Sequence, residues 1–528
     1  MSESAFLAAI CTNPSDDTPR LVFADWLEDH GQPVRAAFVR GQIELARTDE
    51  ADPRYPALLA RTRRCGVLTD ASHRLECERG VTGAMFRRGF VAGVEGGGYA
   101  FPECEALPVE QLRLRGPEGD ATGGLKALLK RPELSRLHTL ALGERWPIED
   151  ITAIVRCPKL AGLRALAIDQ PLAEDDFAFR NLVPRMKLPA LDSLNLHFGA
   201  IPLLETEDAE WDERDPDWSG LLPRRPLRRL RLVAEEDTTG DWVWPGPDSD
   251  WLTASGSWPM LEVADVTLNA NPISGTDFVA AMPPGGMFAR LATSRLTRLT
   301  VNGSSLDRLL ATPDWGNVRS LAVHDQFNAA QLARLFTSPQ AQKLEHLTLC
   351  GDHIYSYREF EMGDLPDVVR TPGLLPKLRR LSLRSELAAL ANGSYRNHLL
   401  RLDVGAPGYL EEAWVEFLDL PLPQLRHLSL SRFRRPVELA PLFAAVSMPN
   451  LCTLQLGDYS HHTAAPTDAV WTDLARNPAT PHLSLISAGT WQTAWLVVGD
   501  GEATPVADGT LPLDEDWWEP DPLARWFW

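Results

Sequence analysis

Residues 376–383 read PKLRRLSL, and the six residues Leu378–Leu383 form an L-x-x-L-x-L unit that recurs along most of the chain. Copies begin at Val109 (VEQLRL), Leu137 (LHTLAL), Leu163 (LRALAI), Leu191 (LDSLNL), Leu227 (LRRLRL), Val263 (VADVTL) and Leu296 (LTRLTV). Further copies begin at Val318 (VRSLAV), Leu344 (LEHLTL), Leu399 (LLRLDV), Leu425 (LRHLSL) and Leu451 (LCTLQL). HLSLIS around Leu483 reads as a last, degenerate copy. The thirteen clear units lie 21 to 36 residues apart with a median near 27, a period that marks a repeat architecture.

Within each unit the second and third apolar residues alternate with polar ones, as a short strand with one face on a core requires. The segments between units carry helical periodicity. NAAQLARLF after Asn328 places Leu332, Leu335 and Phe336 on one stripe, and LKALLKRP does the same with Leu125, Leu128 and Leu129. Proline stands two residues before the first leucine at Pro189, Pro376, Pro423 and Pro449, where it stops a helix and biases the chain toward an extended path. One unit buries about three aliphatic side chains at roughly 1.5–3 kcal/mol each, which ordering entropy largely cancels. Only stacking makes such units stable, so the sequence predicts an α/β solenoid of parallel strands.

This pattern resembles the leucine-rich repeat family over residues 105–490. The resemblance implies a curved parallel sheet with helices on its convex side. One departure is plain: the family's Asn ladder, three residues beyond the last strand leucine, is met here only by Asn271. The turns must satisfy their backbone groups in another way.

Ahead of the repeats, residues 4–11 read as a helix with Phe6, Leu7 and Ile10 on one face. Thr18 or Asp17 can cap a second helix with Pro19 at its start; Gly31 stops it and Pro33 opens a third. The stretch FLAAICTNPSDDTPRLVFADWLEDHGQPVRAAFVRGQIELAR, followed by MFRRGFVAGVE at 85–95, resembles the bacterial, planctomycete-type repeat-companion domain that precedes repeat arrays. That resemblance spans about the first 95 residues and implies an architecture, with no activity attached. The expected organisation is a helical head (1–75), a strand-like link and N-terminal cap (76–104), the solenoid (105–490) and a Trp-rich, β-like C-terminal cap (491–528). WLVVGDGEATPV reads as a hairpin with GDGE as its turn.

Two connections are stretched. Residues 203–220 hold eight acids, and residues 235–258 add six acids and four tryptophans. They read as loop insertions on one face of the solenoid, where binding loops sit.

The net charge of −20 argues against a general nucleic-acid or anionic-membrane binder. No stretch is apolar enough to span a bilayer, and the N-terminus lacks the basic region of a secretory leader. Seven scattered cysteines without a C-x-x-C pair suit free thiols in a reducing cytoplasm.

Asp25, Glu28 and Asp29 with Arg35 and Arg40 read either as an acid or metal site or as ion pairs between packed helices. The second reading makes Asp25 a buried, paired acid. The histidines, including the adjacent His461 and His462, form no catalytic or metal-ligand pattern, and no cofactor or metal is expected. The acid-rich loops lack calcium-loop spacing.

The third and fifth positions of the units point away from the core onto the concave face. They carry Arg113, Arg229, Arg231, Arg298, Arg380 and Arg401, joined by His346 and His427, against only Asp265 and Asp403. Arginine suits bidentate contacts with carboxylates, so these eight residues are the candidate partner-binding set, unless the chain's own acidic loops neutralise them. Trp242, Trp244 and Trp251 are the candidate loop anchors. The expected function is non-catalytic recognition of a protein partner, with an acidic surface as the complement of those arginines. The alternatives are a structural, self-assembling protein and a regulatory subunit of a defence or signalling system.

Overall fold

A computed structural model describes residues 2–14, 16–73, 81–97, 108–116, 124–143, 146–168, 186–198, 227–234, 260–268, 291–303, 306–324, 327–350, 363–405, 421–431, 448–457, 476–489, 494–499 and 502–506. The chain divides into two compact units. One comprises Met1–Gly93, Glu103–Pro108 and Asn328–Pro520; the other comprises Val94–Pro102, Val109–Phe327 and Asp521–Trp528.

The head of the first unit is four helices, α1 (Glu3–Thr12), α2 (Asp17–Asp29), α3 (Pro33–Arg47) and α4 (Tyr55–His73). Asp16 caps α2 by accepting from the Thr18 amide at 2.9 Å, so the cap lies ahead of both positions the sequence suggested, one residue before Asp17 and two before Thr18. Gly31 takes φ +79° and ends α2, and Pro33 opens α3. Phe6, Ile10, Phe23, Ala24, Leu27, Ala36, Val39 and Ile43 form the core of the head, together with Phe90. Trp26 packs at its edge, stacked on Phe23 and His30.

Phe90 arrives on a pair of strands, β1 (Val81–Arg87) and β2 (Phe90–Gly97). Arg88 and Gly89 join them, both with positive φ, as a two-residue type I′ turn requires. The Gly89 amide donates to Gln42 Oε1, fixing the turn against α3.

Of the predicted acid cluster on α2, Asp25 and Glu28 settle as ion pairs with α3. Arg40 Nη2 lies 2.7 Å from Asp25 Oδ1 and 2.7 Å from Glu28 Oε2, while Arg35 turns to Glu3 instead. Asp25 is paired but not buried; its side chain is 71% exposed. The burial expected of it fails because its neighbours Ala24 and Leu27 take the core face of the helix.

Among the described residues the second unit carries β3 (Gln111–Arg115), β4 (Thr139–Leu142), β5 (Ala165–Ile168), β6 (Ser193–Phe198), β7 (Arg229–Ala234), β8 (Val263–Leu268), β9 (Arg298–Asn302) and β10 (Ser320–His324). Each pairs in parallel with the next. Helices α5 (Gly124–Lys130), α6 (Ile148–Val155) and α7 (Leu306–Ala311), with short 3₁₀ turns at Pro132–Arg136 and Pro158–Gly162, lie between them. The 3₁₀ turns were not legible from the helical periodicity.

The register corrects one repeat. Leu230 pairs with Ala264 and Leu232 with Val266, so the sixth unit starts at Leu261, which is fully buried, and not at Val263. Pro259, two residues before Leu261, is the signal that marks this start. The small Ala264 hides it, because a scan for bulky residues finds Val263, Val266 and Leu268 first.

In the first unit α8 (Ala329–Thr337) leads to β11 (His346–Cys350), then α9 (Leu365–Arg370) to β12 (Arg380–Arg384). β13 (Arg401–Gly405), β14 (His427–Ser431), β15 (Thr453–Gly457) and β16 (Leu485–Gly489) follow, and β11–β16 pair in parallel. Asn328 and Gln331 close a capping box on α8, which buries Leu332, Leu335 and Phe336 as the sequence predicts. After β16 the direction reverses: β17 (Ala494–Gly499) and β18 (Glu502–Val506) pair antiparallel, with Gly499 opposite Glu502, the ends of the predicted GDGE turn.

The strand entries share one backbone pattern. Within each of the two units of the chain, the carbonyl of a repeat's second residue accepts two amides from the next repeat. Arg379 O receives Leu400 N and Arg401 N, Leu400 O receives Arg426 N and His427 N, and Arg426 O receives Cys452 N and Thr453 N. The same fork runs through the second unit, from Glu110 O to Thr297 O. Asn271 itself lies outside the described residues.

Candidate functional site

Along β12–β15 the leucines Leu381, Leu383, Leu402, Leu428 and Leu454 are buried on one face. The alternation therefore sends Arg380, Arg401, His427 and Thr453 to the other, in one row across the strands. This polar face is occupied. The turn between α3 and α4, Thr48–Arg54, brings Glu50 onto it. Glu50 Oε2 lies 3.0 Å from Arg380 Nη2, and its Oε1 lies 2.7 Å from Arg401 Nε and 3.2 Å from His427 Nε2. All four side chains are at most 18% exposed.

The turn is shaped before it meets the sheet. Asp49 Oδ1 accepts the Ala51 amide, and Asp52 Oδ1 accepts the Arg54 amide. Asp52 spends its carboxylate on Arg54, which holds its pKa down at about 2, and leaves its carbonyl for Arg426 Nη2 at 2.9 Å. The Arg426 guanidinium also lies over the Tyr55 ring, 5.2 Å from its centroid. Tyr55 and Leu59 pack on Cys452, with Leu45 at the margin. Further along α4, Arg63 Nη1 donates to Cys452 O, Thr453 Oγ1 and Ser484 Oγ at 3.0–3.2 Å.

Glu50 and Arg63 are joined through the sheet. His427 Nδ1 lies 3.0 Å from Thr453 Oγ1, the hydroxyl that accepts from Arg63. Burial presses the His427 pKa down to about 3, and Arg401 adds to the fall against the opposing pull of Glu50. The ring is thus neutral, with Nε2 facing Glu50 Oε1 and Nδ1 against Thr453 Oγ1. Burial acts on Glu50 in the opposite sense, but Arg401, His427 and Arg380 outweigh it and hold the carboxyl well below its ordinary range. Glu50 is an anion and His427 a neutral spacer between two cationic arms.

In the next row of the same face, Asp403 accepts from Ser382 at 3.0 Å, and burial raises its pKa. The Cys452 thiol is pushed up to about 12, mainly by burial, which leaves no reactive thiolate. Among the described residues no group of three or more His, Cys, Asp or Glu is placed to hold a metal ion. What the arrangement does chemically is recognise a carboxylate.

Of the eight predicted face residues, Arg380, Arg401 and His427 are therefore engaged by the chain's own Glu50. His346 is half-buried on β11, opposite Arg380. In the second unit Arg229, Arg231 and Arg298 gather on β7–β9, all half-buried, and Arg113 stands apart on β3. Trp242, Trp244 and Trp251, and both acidic insertions, lie outside the described residues. Sequence reasoning missed Glu50, Arg63 and Arg426. Arg426 had a signal, being the second residue of LRHLSL where solvent exposure is the usual expectation; Glu50 had none.

No family model and no curated protein matches the chain. Among the described residues no helix is long and apolar enough to cross a membrane. Among solved structures the chain is similar to one titled "Crystal structure of Rad7 and Elc1 complex in yeast", at 14% identity and a TM-score of 0.37, over 84% of this chain and 92% of that one. The described residues themselves show a mixed α/β architecture with parallel strands.

Proposed function

We propose that the protein is a non-catalytic recognition scaffold that binds a protein partner through the polar face of its repeat strands. The observation that supports this reading is the capture of Glu50: the face already selects a carboxylate, by Arg380, Arg401 and a neutral His427, and buries it. The states of Cys452 and His427 support a binding role over a catalytic one, since neither offers a nucleophile or a base near neutral pH. The finer assignment, a leucine-rich repeat behind a repeat-companion head, rests on the sequence motifs.

An external partner meets the arginines of β7–β9, in this reading, and an acidic surface is their complement. Affinity capture from native lysate with the wild type and with the Arg229→Glu/Arg231→Glu double variant tests it. Proteins retained by the wild type and lost by the variant are the expected result. An identical retained set in both sinks the reading.

A further inference from the structure

The contact between the head and β12–β15 has the make-up of an exchangeable interface. Among the described residues it includes the ion pairs of Glu50 and Asp49, the hydrogen bonds of Arg426 and Arg63, a cation–π contact and a small apolar cluster around Tyr55. The core of the head is separate: among the described residues it is formed by Phe6, Ile10, Phe23, Leu27, Val39 and their neighbours, with none from β11–β16. The recognised element is also short and folded by its own hydrogen bonds, with the Asp49 carbonyl accepting the Asp52 amide and the Asp52 carbonyl accepting that of Tyr55. It presents a carboxylate, a carbonyl and an aromatic ring within six residues. Opposite stand four arginines: Arg380 and Arg401, on β12 and β13, hold Glu50, while Arg379 and Arg426, each one residue ahead of its strand, face Asp49 and hold Asp52 and Tyr55.

We propose that this arginine face of β12–β14 is a binding site for an acidic, tyrosine-bearing linear segment of a partner protein, and that the Thr48–Tyr55 turn of the head is its built-in occupant. The inference rests on the recognition-scaffold reading and adds to it the partner chemistry and a competitor. A partner segment with carboxylates and a ring at matching spacing gains the same contacts once the turn leaves. Because the turn is tethered, the wild-type face is mostly filled, and a partner's apparent affinity is reduced by the fraction of open molecules. Weakening the turn raises that fraction without touching the arginines.

The test uses the full chain and a fluorescent peptide of residues 47–56, RTDEADPRYP, read by anisotropy. The Glu50→Gln protein is expected to bind it about tenfold more tightly than the wild type, equivalent to about 1.4 kcal/mol. The same peptide with Gln at the Glu50 position should lose binding, as should the Arg401→Glu protein. Equal binding of the two peptides, or equal affinity of wild-type and Glu50→Gln proteins, overturns the proposal. If Glu50→Gln does not fold, wild-type protein with saturating peptide decides by hydrogen exchange. Faster exchange of the 48–55 amides supports displacement, and unchanged exchange refutes it. Concentration-dependent dimers that the peptide dissolves would assign the face to the head of a second copy and overturn the partner claim. A protein that captures partners through Arg229 and Arg231 yet never exchanges the peptide refutes this inference alone.

Discussion

Glu50 and Arg401 lie 2.7 Å apart across 351 residues of sequence, and the carboxylate is held almost out of water by a guanidinium on the far side of the chain's own fold. A buried pair of this kind contributes little net stability when intact, because desolvation offsets attraction. Breaking it leaves an uncompensated charge. Glu50→Ala is therefore expected to cost about 3–5 kcal/mol. Pairing it with Arg401→Met should return part of that loss, and a double-mutant cycle by denaturant unfolding measures the coupling. Strictly additive losses would show that the two side chains do not act as a pair.

Acid should undock the head. The His427 pKa falls from an ordinary 6.5 to about 3 on folding, so between those values the unfolded chain binds a proton that the folded one does not. Stability contributed by the neutral ring is complete above pH 6.5 and declines as pH falls, by about 1.4 kcal/mol per unit. Between pH 6.5 and 5 the loss is about 2 kcal/mol. Glu50 acts in the same direction but only below its ordinary 4.5, toward its depressed folded value. Hydrogen exchange of the 48–55 amides, corrected for its intrinsic pH dependence, reads the undocking. The His427→Gln variant should flatten the profile above pH 5, and an unchanged slope there would assign the proton elsewhere.

Arg426 is 1% exposed and serves both the Asp52 carbonyl and the Tyr55 ring. Lysine supplies a charge but no planar face and a different donor geometry. Arg426→Lys is expected to lose about 1–3 kcal/mol, the cost of leaving a buried polar group poorly paired. Tyr55→Leu should then have a smaller effect in the Lys background than in the wild type. Equal effects in both backgrounds would argue against the stacking contact.

Two glycines separate backbone strain from packing. Gly31 and Gly89 both have positive φ, but a Cβ at Gly31 meets nothing within 4 Å, whereas one at Gly89 falls 2.6 Å from the Val39 Cα. Gly31→Ala should cost about 1–2 kcal/mol, the left-handed penalty alone. Gly89→Ala must also push the β1–β2 turn off α3 and is expected to cost more. Thermal unfolding of the two variants ranks them, and equal midpoints would contradict the close approach.

What the sequence determined by itself is whatever each repeat states locally. The spacing of leucines, the alternation that buries Leu381 and Leu383 and turns Arg380 away, the stripe of α8 and the stop at Gly31 all follow from residues within a few positions of one another. Repetition reinforces them, since an error in one unit is outvoted by its neighbours. It misled where a single unit departed, at Ala264, and only the parallel register against Leu230 moved that start to Leu261. The tertiary structure alone decided what the arginines face. TDEADP is a short hydrophilic turn whose local chemistry suits open water, and nothing in it distinguishes Glu50 from Asp49 or Asp52. Its burial depends on one docking event between segments more than three hundred residues apart. Such an event leaves no period in the sequence, because it happens once.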